Sequence, residues 1–180
     1  MKDIEFKCNP IIITSMVILI AAMMRLLPHP PNFAPIGALA LFSGAHLGKK
    51  FRFIIPLSAM LLSDIVLGFH NDMAFVYASF LLIILIGSRI KNHINPQHVF
   101  VASLGSSVLF FVITNFGVWA VGDMYVKNVS GLIQSYAMGI PFFRNTLLSD
   151  MFYSFGLFYG YQFLHNFVSH ISTLQVKSKV

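Results

Sequence analysis

Four charged residues within or at the ends of long apolar runs are the first candidates for chemistry. Asp64 and Asp150 lie within long apolar runs, and Arg25 and Arg144 lie at the ends of such runs. Ionisable groups away from water are energetically expensive, so they usually face a protein interior and pair with one another or serve a function. Two interpretations remain open. Either each carboxylate neutralises an arginine or caps a broken helix, or the two arginines line a ligand pocket.

Polar and aromatic residues that follow these arginines in the sequence would complete such a pocket. Guanidinium groups suit planar carboxylate or phosphate groups, and aromatic rings stack on flat ligands. The pattern therefore predicts a binding site for a small anionic organic molecule. The candidate binding residues are Arg25, Asn32, Asn115, Trp119, Tyr136, Arg144 and Asn145, with Asp64 and Asp150 as structural carboxylates.

An enzyme is one alternative. Asp64 and Asp150 would then share a proton as in aspartic proteases, where one acid activates water. Lipoprotein signal peptidases have such a dyad in a small membrane protein, but their flanking Asn and Arg pattern is not matched here. A non-catalytic assembly or scaffold protein is a further alternative. We expect a binding protein rather than an enzyme.

The histidines and the single cysteine do not form the pattern of a metal site. No two of the seven histidines have the i, i+4 spacing with an acidic partner that a metal-binding helix shows, and His93 and His98 lie five apart in a loop. A nucleotide-binding loop and a nucleophile elbow are also missing. The sequence therefore predicts no metal, no cofactor and no intrinsic ATPase activity.

The composition favours an integral membrane protein. Hydrophobic residues make up 57% of the 180 residues and charged residues only 10%, whereas a soluble domain carries about 25% charge. The mean hydropathy is +0.77. The net charge of +6 comes from loop cations without interleaved aromatics, which suits anionic lipid headgroups better than nucleic acid. We predict one all-α domain in a lipid bilayer.

Six apolar segments are the expected spanning helices. Prolines at positions 28, 30, 31 and 35 force a turn between the first two segments. The stretch 129–143 is apolar but contains Gly139 and Pro141, and we interpret it as an interfacial or re-entrant piece before the last segment. The predicted spans are 10–27, 33–48, 53–69, 73–88, 99–121 and 145–168.

The loop cations predict the orientation of the bundle. Lysine and arginine concentrate at alternate ends of the segments, which places those ends on the cytoplasmic side by the positive-inside tendency. Both termini are then cytoplasmic, in a bacterial inner membrane, and the candidate site opens to the outside. The cations on the cytoplasmic side are Lys2, Lys7, Lys49, Lys50, Arg52, Arg89, Lys91, Lys177 and Lys179.

Small residues indicate where helices approach closely. Gly44 and Gly48 in the second segment, and Gly156 and Gly160 in the last, repeat at four-residue spacing. This spacing lets helix backbones pack against one another in membranes. Chance is the alternative, because glycine is common in membrane helices.

Several motifs carry a resemblance. They are N-F-A-P-I-G-A-L-A-L-F-S-G-A at residues 32–45, T-N-F-G-V-W at 114–119 and I-P-F-F-R-N-T-L-x-S-D at 140–150. The chain resembles an uncharacterised, DUF6580-like bacterial family described as transport proteins. That family is similar to the S components of energy-coupling-factor (ECF) vitamin transporters, which bind a vitamin at the outer face and release it inside.

The resemblance implies a six-helix bundle like that of S components. It also implies, as partners, a transmembrane coupling subunit and the ATPases of an ECF-type module. One feature departs from the pattern: the first segment lacks the A-x-x-x-A face that docks on the coupling subunit, and Ala34 and Ala38, which have the spacing, begin the second segment. A solitary carrier therefore remains an alternative.

Overall fold

The computed structural model describes residues 10–177, and these form six α-helices with no strand among them. The predicted helical class and helix number are confirmed, and each predicted apolar segment falls largely on one helix. The helices are α1 (Pro10–Leu26), α2 (Ile36–His46), α3 (Phe51–Leu67), α4 (Met73–Ile90), α5 (Pro96–Val121) and α6 (Val129–Lys177).

Local sequence signals explain most helix ends. Four prolines occupy the segment between α1 and α2, where Asn32 takes the left-handed conformation with a φ of 62°. Gly68, with a φ of 96°, follows the last residue of α3, as is common for glycine after a helix. Asn95 caps α5 by accepting a hydrogen bond from the backbone amide of His98, and Pro96 occupies the first helical position.

The last helix corrects one prediction. The sequence predicts an interfacial or re-entrant piece over 129–143 before the last segment, but the structure shows no separate piece, because α6 continues as one helix of 49 residues through Pro141. Proline removes a single backbone donor, and packing against α5 on both sides of that position offsets the loss. The Tyr136 hydroxyl donates to the Val112 carbonyl at 2.8 Å, and Asp150 binds Ser107 further along.

The short helix α2 forms the centre of the bundle and packs against α3, α4, α5 and α6. Its residues Ala38 and Ala40 are fully buried. A Cβ built on Gly44 would lie 2.1 Å from the Ile84 carbonyl oxygen of α4, and one built on Gly87 would lie 2.1 Å from the Leu41 carbonyl oxygen. The two backbones therefore meet directly, which confirms the close approach predicted at Gly44.

The second glycine pair behaves differently. A Cβ built on Gly156 or Gly160 would meet no other atom of the described residues within 4 Å, and both positions are exposed. Gly48 is likewise open. Gly156 and Gly160 therefore do not have the predicted packing role among the described residues.

Two helices, α4 and α5, are long and apolar enough to cross a membrane by length and composition. Both present large apolar side chains on their outer surfaces. Leu81, Leu82 and Leu85 of α4 and Val101 and Val112 of α5 are all exposed. A helix in the core of a water-soluble protein would bury such residues, so these surfaces are consistent with association with a membrane.

Candidate functional site

A cavity of about 300 Å³ lies among the helices, beside the proline-rich segment. All six helices contribute to its wall, which is mainly apolar with a few polar side chains. The exposed Asn32 and the half-buried His29 lie at its rim. The lining residues are Arg25, His29, Asn32, Ala34, Ile36, Gly37, Met60, Leu67, Val76, Phe80, Ile83, Phe110, Thr146 and Asp150.

Arg25 and Asp64 form an ion pair between the end of α1 and α3. Arg25 Nη1 contacts Asp64 Oδ1 and donates to Ser63 Oγ at 2.6 Å, while the Tyr77 hydroxyl donates to Asp64 Oδ2 at 2.8 Å. Asp64 is 1% exposed and does not line the cavity. For this pair the structure supports the neutralising interpretation, because both carboxylate oxygens are occupied by donors.

Asp150 lies in a different environment. It is 3% exposed and lines the cavity, and its Oδ2 accepts a hydrogen bond of 2.7 Å from the Ser107 hydroxyl. A Cβ at position 37 would lie 2.2 Å from Oδ1, so the glycine there makes room for the carboxylate. Among the side chains that the structure describes, no arginine, lysine or histidine forms an ion pair with Asp150. Of the two interpretations left open by the sequence, pairing with an arginine therefore does not describe Asp150 here.

Two side chains of α6 form hydrogen bonds with the proline-rich segment at the rim of the cavity. The Asn145 side-chain amide donates to the Pro31 carbonyl at 2.9 Å, and the Ser149 hydroxyl donates to the Ala34 carbonyl at 2.8 Å. The ring nitrogens of His29 contact the backbone carbonyls of Pro30 and Arg25. These contacts order an irregular segment that would otherwise leave backbone groups without partners.

Of the seven predicted binding residues, Arg25 and Asn32 line the cavity, and Asn145 supports its rim. The other four lie outside it. Asn115 donates to the Phe111 carbonyl, Trp119 to the Val126 carbonyl and Tyr136 to the Val112 carbonyl, while Arg144 is exposed on the surface of α6.

The unbroken course of α6 explains this placement. Without a break near Pro141, Tyr136 stays on the face of α6 that packs on α5, and Arg144 continues along the helix surface. The aromatic wall expected from Trp119 and Tyr136 is therefore not part of the cavity. Phe80 and Phe110 supply aromatic rings there instead, with centroids 5.4 Å apart.

Sequence reasoning also missed Ser107 and Gly37. Ser103 and Ser107 lie one helical turn apart within an apolar helix, and both are fully buried. Serines at this spacing in an apolar run would have indicated an inward face that could bind a carboxylate. Gly37 had no comparable signal, because its role depends on a side chain more than a hundred positions away.

The two carboxylates do not form the shared-proton pair of an aspartic protease. Asp64 is bound by Arg25 and Tyr77, and Asp150 by Ser107, with no hydrogen bond between the two among the described residues. Only Asp150 lines the cavity. The described residues also contain no cluster of three or more His, Cys, Asp or Glu side chains.

A second cavity of about 270 Å³ lies at the other end of α2. His46 ends α2 and lines it together with Tyr161 and His165 of α6. The nine residue steps from Gly37 to His46 correspond to about 13.5 Å along a helix axis. Among the described residues, the side-chain oxygens of Ser103 and Ser154 are buried without a hydrogen-bond partner.

Comparison with known proteins gave one family. A family model described as "Family of unknown function (DUF6580)" matches residues 5–173. No curated protein and no solved structure matches the chain.

Proposed function

Because the chain belongs to DUF6580, a family of unknown function, we propose its activity from the geometry: it is a membrane-embedded protein that binds and takes up a small organic molecule. The observation that carries the proposal is the cavity of about 300 Å³ beside the ordered proline-rich segment. Ligand sites in proteins are typically concave, mostly apolar and furnished with a few placed polar groups, and they measure roughly 300 to 1,000 Å³.

The surface supports the membrane part of the proposal. Exposed leucines and valines on α4 and α5 would contact lipid, while loop cations such as Lys50 and Lys91 are exposed at the opposite ends from Asn71. We place both termini on the cytoplasmic side of a bacterial inner membrane, and the rim of the first cavity on the outer side.

We extend the proposal to the mode of transport. The resemblance to S components suggests that a transmembrane coupling subunit and ATPases supply the energy, and a solitary carrier is the alternative. Co-purification of the tagged full-length chain from its native membrane distinguishes the two. An ATPase recovered in stoichiometric amount supports the module, whereas transport by the purified chain alone in vesicles supports the carrier.

The cavity does not favour the anionic ligand that the sequence predicts as one possibility. Arg25 is already balanced by Asp64, and Arg144 lies outside the cavity. The site therefore has no unpaired cation to attract a carboxylate or phosphate. Of the two ligand classes expected from the sequence, vitamin-like or anionic, we therefore propose a molecule of vitamin size that need not be anionic.

Native mass spectrometry of the full-length protein in nanodiscs tests the proposal, using one variant that fills the cavity. Val76 lines the cavity, whereas Ala78, two residues further along α4, is exposed. We expect Val76→Phe to lose the molecule that the wild type retains, while Ala78→Phe keeps it. A folded Val76→Phe protein that retains the same molecule at wild-type occupancy would contradict the proposed site.

A further inference from the structure

We propose that the first cavity recognises its ligand through an amine or ammonium group that donates hydrogen bonds to Asp150. This inference rests on the proposed function and names the chemical class of its ligand. The observation behind it is a buried carboxylate at the cavity wall that has one hydroxyl partner and no cationic partner within the described residues.

The hydrogen-bonding capacity of Asp150 is largely unused. A carboxylate can accept about four hydrogen bonds, and the structure supplies the one from Ser107 to Oδ2. Oδ1 packs against Gly37, where a Cβ would lie 2.2 Å from it, and no hydrogen bond to Oδ1 is found among the described residues. Asp64 is the comparison, because both of its carboxylate oxygens have a donor: Arg25 binds one and Tyr77 binds the other. A ligand that donates hydrogen bonds would fill the unused acceptor positions of the Asp150 carboxylate.

The other polar groups at the cavity are already engaged. Arg25 binds Asp64 and Ser63, and His29 directs both ring nitrogens at backbone carbonyls. The Thr146 hydroxyl donates to the Phe142 carbonyl. Asp150 is thus the acidic group at the cavity that has no cationic partner among the described side chains, and a cation beside a buried carboxylate stabilises its charged form. A cationic ligand would provide that partner.

The side chains of the cavity wall indicate that the rest of the ligand is apolar. Val76, Phe80, Ile83 and Phe110 form an apolar surface next to Asp150, and aromatic rings also attract an ammonium group placed over their faces. These features together fit a primary amine attached to a compact hydrocarbon or aromatic group.

Three small benzene derivatives differ in charge: benzylamine is cationic, benzyl alcohol has nearly the same shape but is neutral, and benzoate is anionic. Each is titrated into the full-length protein in nanodiscs at neutral pH. We expect benzylamine to bind the wild type at least tenfold more tightly than benzyl alcohol, and benzoate to bind most weakly. Equal affinity for benzylamine and benzyl alcohol would overturn the amine inference and leave the cavity as a binding site for neutral molecules.

The variant Asp150→Asn keeps the shape of the side chain and removes its charge. We expect it to lose the tenfold preference for benzylamine while binding benzyl alcohol as before. Asp72→Asn is the matched control, because Asp72 pairs with His70 at the surface and should leave all three affinities unchanged. An Asp150→Asn protein that keeps the preference would overturn the inference.

If Asp150→Asn does not fold, Gly37→Ala tests the same contact. Its Cβ would collide with Oδ1 and displace the carboxylate, so benzylamine binding should weaken more than benzyl alcohol binding. An equal effect on both probes would count against the inference. If the protein retains a native molecule that lacks an amine, the amine inference is overturned but the proposed binding function stands. If the cavity binds no probe and the protein retains no molecule, the amine inference and the proposed function are both overturned.

Discussion

At the scale of single residues, the two buried carboxylates show how hydrogen-bond partners determine a role. Asp64 has a guanidinium and a phenol as donors, and its charge is balanced. Asp150 has a serine hydroxyl. The contacts of Asp64 hold α1, α3 and α4 together. Asp150 instead lines a cavity with one hydrogen-bond partner. Residue type alone gave no way to tell them apart.

Removal of one member of the Arg25 and Asp64 pair should destabilise the fold. Asp64→Asn leaves a partly buried guanidinium without its counterion, and we expect a loss of about 1.5 to 3 kcal/mol. Tyr77→Phe removes one hydrogen bond and should lose about 1 kcal/mol. Thermal unfolding in detergent, monitored by circular dichroism, measures both.

A double variant completes that test. Replacing both charged partners with apolar residues, as in Arg25→Met with Asp64→Leu, should recover most of the lost stability, because the unpaired charge is gone. The exposed pair of His70 and Asp72 serves as control, since Asp72→Asn should shift the melting temperature little. If the double variant were as unstable as Asp64→Asn, the ion pair would not be the cause.

At the scale of helices, the number and the approximate positions of the elements could be predicted from hydropathy. The course of α6 could not, because Gly139 and Pro141 are local signals for a break, whereas contacts with α5 far away in sequence hold the helix together. The direction of the Trp119 side chain could not be predicted from the sequence either. When the lipid-facing and inner surfaces are both apolar, periodicity does not show which face points inward.

The same limit explains how much of the site was predictable. Asp150, Arg25 and Asn32 could be identified because a charge in an apolar run, or a polar residue in a proline-rich turn, stands out from its surroundings. Phe80 and Phe110 could not, since they resemble every other apolar residue on their helices. They lie at the cavity because of how α4 and α5 pack, and this packing cannot be predicted from a local sequence pattern.

The contact between α2 and α4 gives a prediction at this scale. Gly44→Ala places a methyl group 2.1 Å from the Ile84 carbonyl oxygen, so the two backbones must separate. We expect a loss of about 1 to 3 kcal/mol from this overpacking. Thermal melting of the purified protein measures the change.

Gly156→Ala is the matched control on α6, where the added methyl group meets no atom within 4 Å. Alanine favours helix over glycine by up to about 1 kcal/mol, so this variant should be as stable as the wild type or more so. Equal loss of stability in the two variants would show that the close approach at Gly44 is not responsible.

At the scale of the whole molecule, the alternation of cationic loops predicts the orientation in the membrane. In a Cys8→Ser background, single cysteines at Lys50 and Lys91 should resist an impermeant thiol reagent in intact cells, and one at Asn71 should react. All three positions are exposed, so differences in labelling reflect the side of the membrane rather than burial. Labelling of the Lys50 position from outside would reverse the proposed orientation.

The shortness of α2 has an electrical consequence. Its 11 residues span about 16 Å, roughly half of a hydrocarbon core of about 30 Å. In the proposed orientation a cavity lies at each end, and water filling both would concentrate the membrane voltage across the packed layer between Asp150 and His46. A charge crossing the full potential gains about 2.3 kcal/mol per 100 mV. Inward release of an ammonium ligand would then be driven by an inside-negative voltage, which potassium diffusion potentials imposed on reconstituted vesicles would measure directly.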